Sequence, residues 1–271
     1  MLLELTNETT IEELRGSGYT ITSPEAKRLR QGYAQRKSSN EHFVRVKERY
    51  SEVQKHLTLE QNGVALFMLS LMRFEKDGKL YINRNRVSIG SLAKLLGKSD
   101  RQLRRVIDEL EKHSVVVREK EGRHVFLSMG ETFFISGYSP EKFFFVKLYK
   151  ARLKEVAKKL TLSELGLLML LTSKFHWETH LLVENPSEQD NKKLLIWKRK
   201  HIAEEFDISM DFVKRAIPKL RKVRAIYEVK TVRTGIVLDP SLVHRQPIKP
   251  TIEKILEVIE KSEFKKENIK Q

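Results

Sequence analysis

The sequence predicts a mainly α-helical chain with small β-wings, an α+β protein built as two tandem winged helix-turn-helix domains. Three observations predict it. Residues Ser91 to Val125 read as a short helix, a tight turn at Gly97, a second helix and a two-stranded ribbon. The pattern returns from His201 to Val237, where Ala203, Ser209, Val213, Arg215, Ile217 and Leu220 stand opposite Ala93, Ser99, Leu103, Arg105, Ile107 and Leu110, all at one offset of 110. Upstream, FVRVKERYSEVQKHLTL (Phe43 to Leu59) parallels FVKLYKARLKEVAKKLTL (Phe145 to Leu162), and an apolar stretch follows each.

Taken in order, residues 1–42 form a basic N-terminal arm. It holds a weak acidic helix from Ile11 to Leu14, a Gly-Ser-Gly break, and Lys27, Arg28, Arg30, Arg36 and Lys37. Pro24 after Ser23 suits the first turn of a helix reaching Tyr33, because a helix start leaves that N–H unbonded anyway. The arm is either solvated or follows DNA phosphates. Domain 1 (43–137) opens with an amphipathic helix at Phe43, followed by an apolar helix from Leu59 to about Phe74. Asp77-Gly78 is a turn, and Leu80 to Ile82 read as a small strand paired with the wing. The helices Ser91 to Leu96 and Ser99 to Lys112 come next. Ser99 and Gln102 make a capping box that marks the second start, and Leu103, Val106, Ile107 and Leu110 give it one apolar face. Val115 to Arg118 and His124 to Leu127 form the ribbon, with Glu119 to Arg123 as its tip, and Phe133 to Ile135 close the domain.

Domain 2 (143–246) repeats this order, opening at Phe143 to Phe145. Its apolar helix runs from Leu162 to about Phe175. The loop HWETHLLVENPSEQDNKK is longer than its counterpart, and this insertion raises the offset from 103 at Thr58/Thr161 to 110. Leu194 to Trp197 are the paired strand, His201 to Phe206 and Ser209 to Val223 the two helices, and Tyr227 to Thr231 and Ile236 to Leu238 the wing. Pro218 inside the second helix cannot donate to Lys214, so a kink or restart after Ile217 is expected. The tail (247–271) is a C-terminal amphipathic helix with Ile252, Ile255, Leu256 and Ile259 in one stripe. Such a stripe needs a partner, either the protein's own surface or a second subunit in a homodimer.

Length and composition bound the function. The 271 residues suit two domains, each able to bury its own core. Lys and Arg exceed Asp and Glu by 52 to 36, a net charge of +16, which favours a polyanionic partner. The absence of cysteine excludes disulfides, thiolate metal sites and cysteine nucleophiles. The start, MLLELTNETTIEELRG, resembles no signal or transit peptide, and the longest apolar runs are about half of a bilayer span, so no membrane partner and a cytoplasmic location are expected.

A helix lying in the major groove reads bases from its exposed N-terminal residues. In copy one these are Ser99, Arg101, Gln102 and Arg105, with Arg suited to guanine and Gln to adenine. Lys98 and Arg104 flank them as phosphate binders, and the wing carries Lys120, Arg123 and His124. Copy two offers Ser209, Met210, Phe212, Lys214 and Arg215, with Lys200 ahead and Lys230 and Arg233 in the wing. Phe212 could meet a thymine methyl or pack inside. Divergence at Gln102/Phe212 and Arg101/Asp211 predicts an asymmetric or directly repeated site rather than a perfect palindrome. No enzyme motif survives inspection. Gly97-Lys98-Ser99 lacks the glycine that a phosphate-binding loop needs at Leu92, and His176 and His180 have helical metal-pair spacing without the glutamate of a zincin, since Trp177 follows the first. No catalytic residue, metal or cofactor is expected.

The leading FV-(K/R) segment, the apolar helix, the GK-S or DI-S turn and the closing wing with aromatics or Asp-Pro resemble the winged-helix domain of the RepL-type Firmicute plasmid replication proteins, over residues about 43 to 246. The tandem arrangement is similar to that of two-winged-helix plasmid initiators. The resemblance implies a non-catalytic initiator that binds double-stranded DNA at an origin and recruits host replication proteins. The same domains would also serve a transcriptional regulator acting with RNA polymerase, or a scaffold whose winged helices bind protein.

Overall fold

The computed structural model describes residues 10–17, 20, 22–27, 30, 42–74, 77–137, 144–232 and 234–270. The chain forms two compact units, Met1–Asn40 and Glu41–Gln271. In the first, α1 spans Ile11–Gly16, and residues 24–27 are helical. Ser23 Oγ accepts the Ala26 N–H at 3.1 Å, the cap that Ser-Pro implies. Lys27 and Arg30 are exposed, while Arg28, Arg36, Lys37 and the expected helix end at Tyr33 lie outside the described residues.

The second unit is mixed helix and strand with small antiparallel sheets. Its organising feature corrects an expectation: Phe43 and Phe145 open strands, not amphipathic helices. β1 (Phe43–Lys47) and β7 (Phe145–Tyr149) pair antiparallel, Val44 facing Leu148, Arg45 facing Lys147 and Val46 facing Val146. Val44 and Val46 alternate with Arg45 and Lys47, a period of two that only a strand can use. The helices are confined to α2 (Tyr50–Gln54) and α6 (Lys150–Ala157). On the outer edges β6 (Phe134–Ile135) joins β1 and β10 (Val243–His244) joins β7. The pairing Arg45 with Ile135 mirrors Lys147 with His244, so a local two-fold axis passes between Arg45 and Lys147.

The same axis relates α3 (Leu59–Leu69) and α7 (Leu162–Leu171), each opened by a Thr capping box, Thr58/Gln61 and Thr161/Glu164. Both helices are apolar almost all round because each is enclosed by the other and by its own copy. They cross at glycines. A Cβ on Gly63 would sit 1.8 Å from the Leu162 carbonyl oxygen, and one on Gly166 would sit 1.9 Å from that of Leu59. Backbone therefore touches backbone, and Val64, Leu66 and Leu69 merge with Leu165, Leu168 and Leu171 into one core. The two copies do not bury separate cores.

Around this centre each copy places a helix, a turn, a second helix and a hairpin. Copy one has α4 (Ile89–Leu96), Gly97 in the left-handed region (φ 63°), α5 (Asp100–Lys112), β4 (Val116–Glu121) and β5 (His124–Met129). Copy two has α8 (Arg199–Glu205), α9 (Met210–Lys222), β8 (Ile226–Lys230) and β9 (Thr234–Leu238). The first hairpin is longer than expected, its first strand reaching Glu121 and its second, from His124, reaching Met129, with Gly122 turning between them at φ 60°. The small strands differ too. β2 (Tyr81–Ile82) pairs with β3 (Asn85–Arg86), and single bridges from Lys79 and Ser88 reach β5. In Leu194 to Trp197 only Ile196 bridges, to Val183 and Ile269. Pro218 causes no restart: α9 runs unbroken through it. Pro218 and Lys214 are both exposed, so water can take the hydrogen bond the proline cannot donate.

The tail helix α10 (Ile252–Lys261) packs on its own chain. Ile255 and Ile259 are buried against Leu181, Val183, Leu194, Ile196 and Val237, which covers the stripe expected to seek an own-surface or subunit partner and leaves Leu256 exposed. Asn268 then donates to the Lys192 and Leu194 carbonyls, fastening the chain end.

Candidate nucleic-acid interface

α5 is held from its buried side by Leu103, Ile107 and Leu110, while Arg101, Gln102, Arg104 and Arg105 are exposed. The capping box is present. Gln102 N–H donates to Ser99 Oγ at 3.3 Å, and Gln102 Oε1 accepts from Ser99 N and Ser99 Oγ, both at 3.1 Å. Pairing with adenine needs that same oxygen, so Gln102 can read a base bidentately only by leaving the cap. The three arginines have no hydrogen-bond or ion-pair partner among the described residues. The carboxylates one and two turns on are taken: Arg118 of β4 reaches Asp108 at 2.5 Å and also binds Glu111. The N-terminal half of the exposed face thus carries three arginines outside any ion pair, beside the single carboxylate of Asp100.

Lys98, expected to bind phosphate, makes a partly exposed ion pair. Its ammonium lies 2.6 Å from Glu60 of α3. In the β4–β5 hairpin, Lys120, Arg123 and His124 are exposed, and Arg86 braces the strand by binding Glu119 at 2.8 Å together with Glu121.

Copy two is more self-compensated. Ser209 caps α9, accepting the Phe212 N–H at 3.2 Å. Met210, Lys214 and Arg215 are exposed, but Lys214 lies 3.7 Å from Asp211, and Arg215 Nε donates to the Asp211 carbonyl at 3.3 Å. Lys219 binds Glu164 at 2.5 Å. Phe212 is half-buried and packs on the core, the inward of its two readings. Lys200 and Lys230 are exposed; Arg233 lies outside the described residues. Each hairpin is tied to its helix at equivalent positions with opposite polarity. Glu111 of α5 holds Arg118 in copy one, and Arg221 of α9 holds Glu228, at 2.6 Å, in copy two.

His176 and His180 are buried in the insertion rather than on a helix. His176 Nδ1 meets Thr179 Oγ1 at 3.1 Å and Nε2 the Glu188 carbonyl at 2.8 Å, while His180 Nδ1 faces the Leu238 carbonyl at 3.2 Å. Among the described residues no group of three or more His, Asp or Glu could hold a metal ion, and no helix is long and apolar enough to cross a membrane. No family model, no curated protein and no solved structure matches this chain.

Proposed function

We propose that the protein binds double-stranded DNA sequence-specifically through two tandem winged helix-turn-helix heads, without catalysis, as a replication initiator of a plasmid or phage. The observation that carries the reading is the set Arg101, Arg104 and Arg105 on the exposed N-terminal half of α5, cations with no carboxylate partner beside a hairpin that carries Lys120 and Arg123. A helix entering the major groove brings such guanidinium forks to guanine edges, and a wing cation meets the neighbouring backbone. The initiator role is supported by the resemblance to RepL-type proteins.

The test is binding to selected sites at fixed salt. Arg101→Ala with Arg105→Ala should lose about 1–3 kcal/mol for each arginine that reads a guanine, with melting temperature and far-ultraviolet circular dichroism unchanged. Unchanged affinity would make the heads a protein-binding scaffold. Mapping occupancy in cells separates the roles. A single cluster of sites in a replication region supports the initiator, and sites spread over promoters make the protein a transcriptional regulator.

A further inference from the structure

The repeat is broken by the insertion after His176, and that insertion walls a cleft of about 530 Å³ between the two copies. Trp177 and Pro186 come from the inserted loop, Phe144 and Phe145 from the start of β7, and Tyr50 and Gln54 from α2. The loop is held by hydrogen bonds to its backbone. Its Glu188 carbonyl accepts from His176 and from Trp177 Nε1, at 2.8 and 3.3 Å, and Gln246 Nε2 donates to the Trp177 carbonyl at 3.1 Å. A wall fixed in this way exists before anything binds, which spares a ligand the cost of ordering it.

Two donors at the lining are left over. Gln54 is 1% exposed, and its Nε2 has no hydrogen-bond partner. Arg245 donates from Nη2 to the Thr172 and Ser173 carbonyls, at 3.2 and 3.0 Å, and stacks 4.7 Å over Phe175, but its Nε is unpartnered and no carboxylate lies within ion-pair distance among the described residues. Burial draws its pKa down to about 10, and the exposed carboxylate of Glu48, which lines the same cleft beside Lys47, acts in the other direction. A half-buried guanidinium on the cleft wall with no carboxylate bonded to it is stabilised by an incoming anionic acceptor.

We propose that this cleft binds a small organic monoanion, a carboxylate on an aromatic body, with the carboxylate toward Arg245 and the ring among Phe144, Phe145 and Trp177. One guanidinium with no carboxylate in ion-pair contact calls for one negative charge, and the aromatic walls call for a flat apolar body. The site does not depend on the DNA reading and is tested without DNA.

The experiment is calorimetric titration of the full-length protein with benzoate, phenylacetate and indole-3-acetate, against their neutral amides and inorganic phosphate. At least one carboxylate should bind with unit stoichiometry, its amide about tenfold or more weaker, as expected for loss of a charge-assisted bond. Phe144→Ala, at a side chain 84% exposed, should weaken binding without disturbing the fold, and Ser51→Trp should block it by filling the cleft. Saturable binding that both variants reduce supports the proposal. No binding of any carboxylate at millimolar concentration, equal binding of the amides or of phosphate, or binding indifferent to both variants overturns it.

Discussion

Gln102 shows how one side chain's local role can be legible while the commitment of its atoms is not. Its place in the capping box follows from Ser99 three residues before, a short-range signal, and the box is there. That the box occupies the oxygen adenine would need follows only from the atoms. Lys98 differs, because its partner Glu60 comes from another helix, and no local pattern announces it. The buried histidines were equally hidden, being placed by the core and not by spacing. Burial lowers the pKa of His180 to about 3 and that of His244 to about 2, where unfolded histidine titrates near 6.5. Below pH 6.5 the unfolded chain takes protons that the native state refuses, so stability is fully present above about pH 6.5 and falls as pH drops toward 3. Urea midpoints measured from pH 7 to 4 should decline accordingly. His180→Asn, which tolerates the left-handed φ of 55°, combined with His244→Gln should flatten the decline. An unchanged slope would assign the acid sensitivity to other groups.

Elements were read well where period and caps agreed and poorly where two periods competed. α5 and α9 carry a full apolar face and a serine cap, and their starts were legible to a residue. FVRVK and FVKLY fit a helix when joined to the residues after them, and a strand when taken alone; pairing across the two copies decided for the strand. A pairing of segments about a hundred residues apart leaves no mark in a local window. Pro218 is an element-scale prediction in itself. Proline in a helix interior is about 3 kcal/mol less favourable than alanine, so Pro218→Ala should raise stability by up to that amount, read by thermal unfolding. No gain would mean that the helix already relaxes around it. The polarity-reversed ties predict that Glu111→Arg and Arg118→Glu are each harmful and that the double variant recovers about 0.5–1 kcal/mol of the loss, as a double-mutant cycle would show.

For the whole molecule, repetition was legible and the relation between the repeats was not. The offset of 110 declares two copies, but only the reciprocal crossing at Gly63 and Gly166 makes them one body. Gly63→Ala should cost about 3 kcal/mol or abolish folding, because the obstruction is the Leu162 backbone, which has no rotamer to yield. Tolerance of alanine there, measured by urea unfolding, would contradict the contact. The local two-fold also sharpens what the sequence left open about the target. If α5 and α9 read DNA, heads related by a two-fold face opposed strands, so sequences selected from a random pool should hold two unlike half-sites in inverted orientation. Direct repeats would sink that arrangement. Two heads on a supple tether would accept half-sites at many separations. Heads fused through touching backbones would, on the proposed reading, form a caliper with one opening, which would measure phase along the double helix as well as distance. Five base pairs inserted between the half-sites would turn one of them about half a revolution away, a displacement this caliper could follow only if the DNA itself were twisted or bent to meet it.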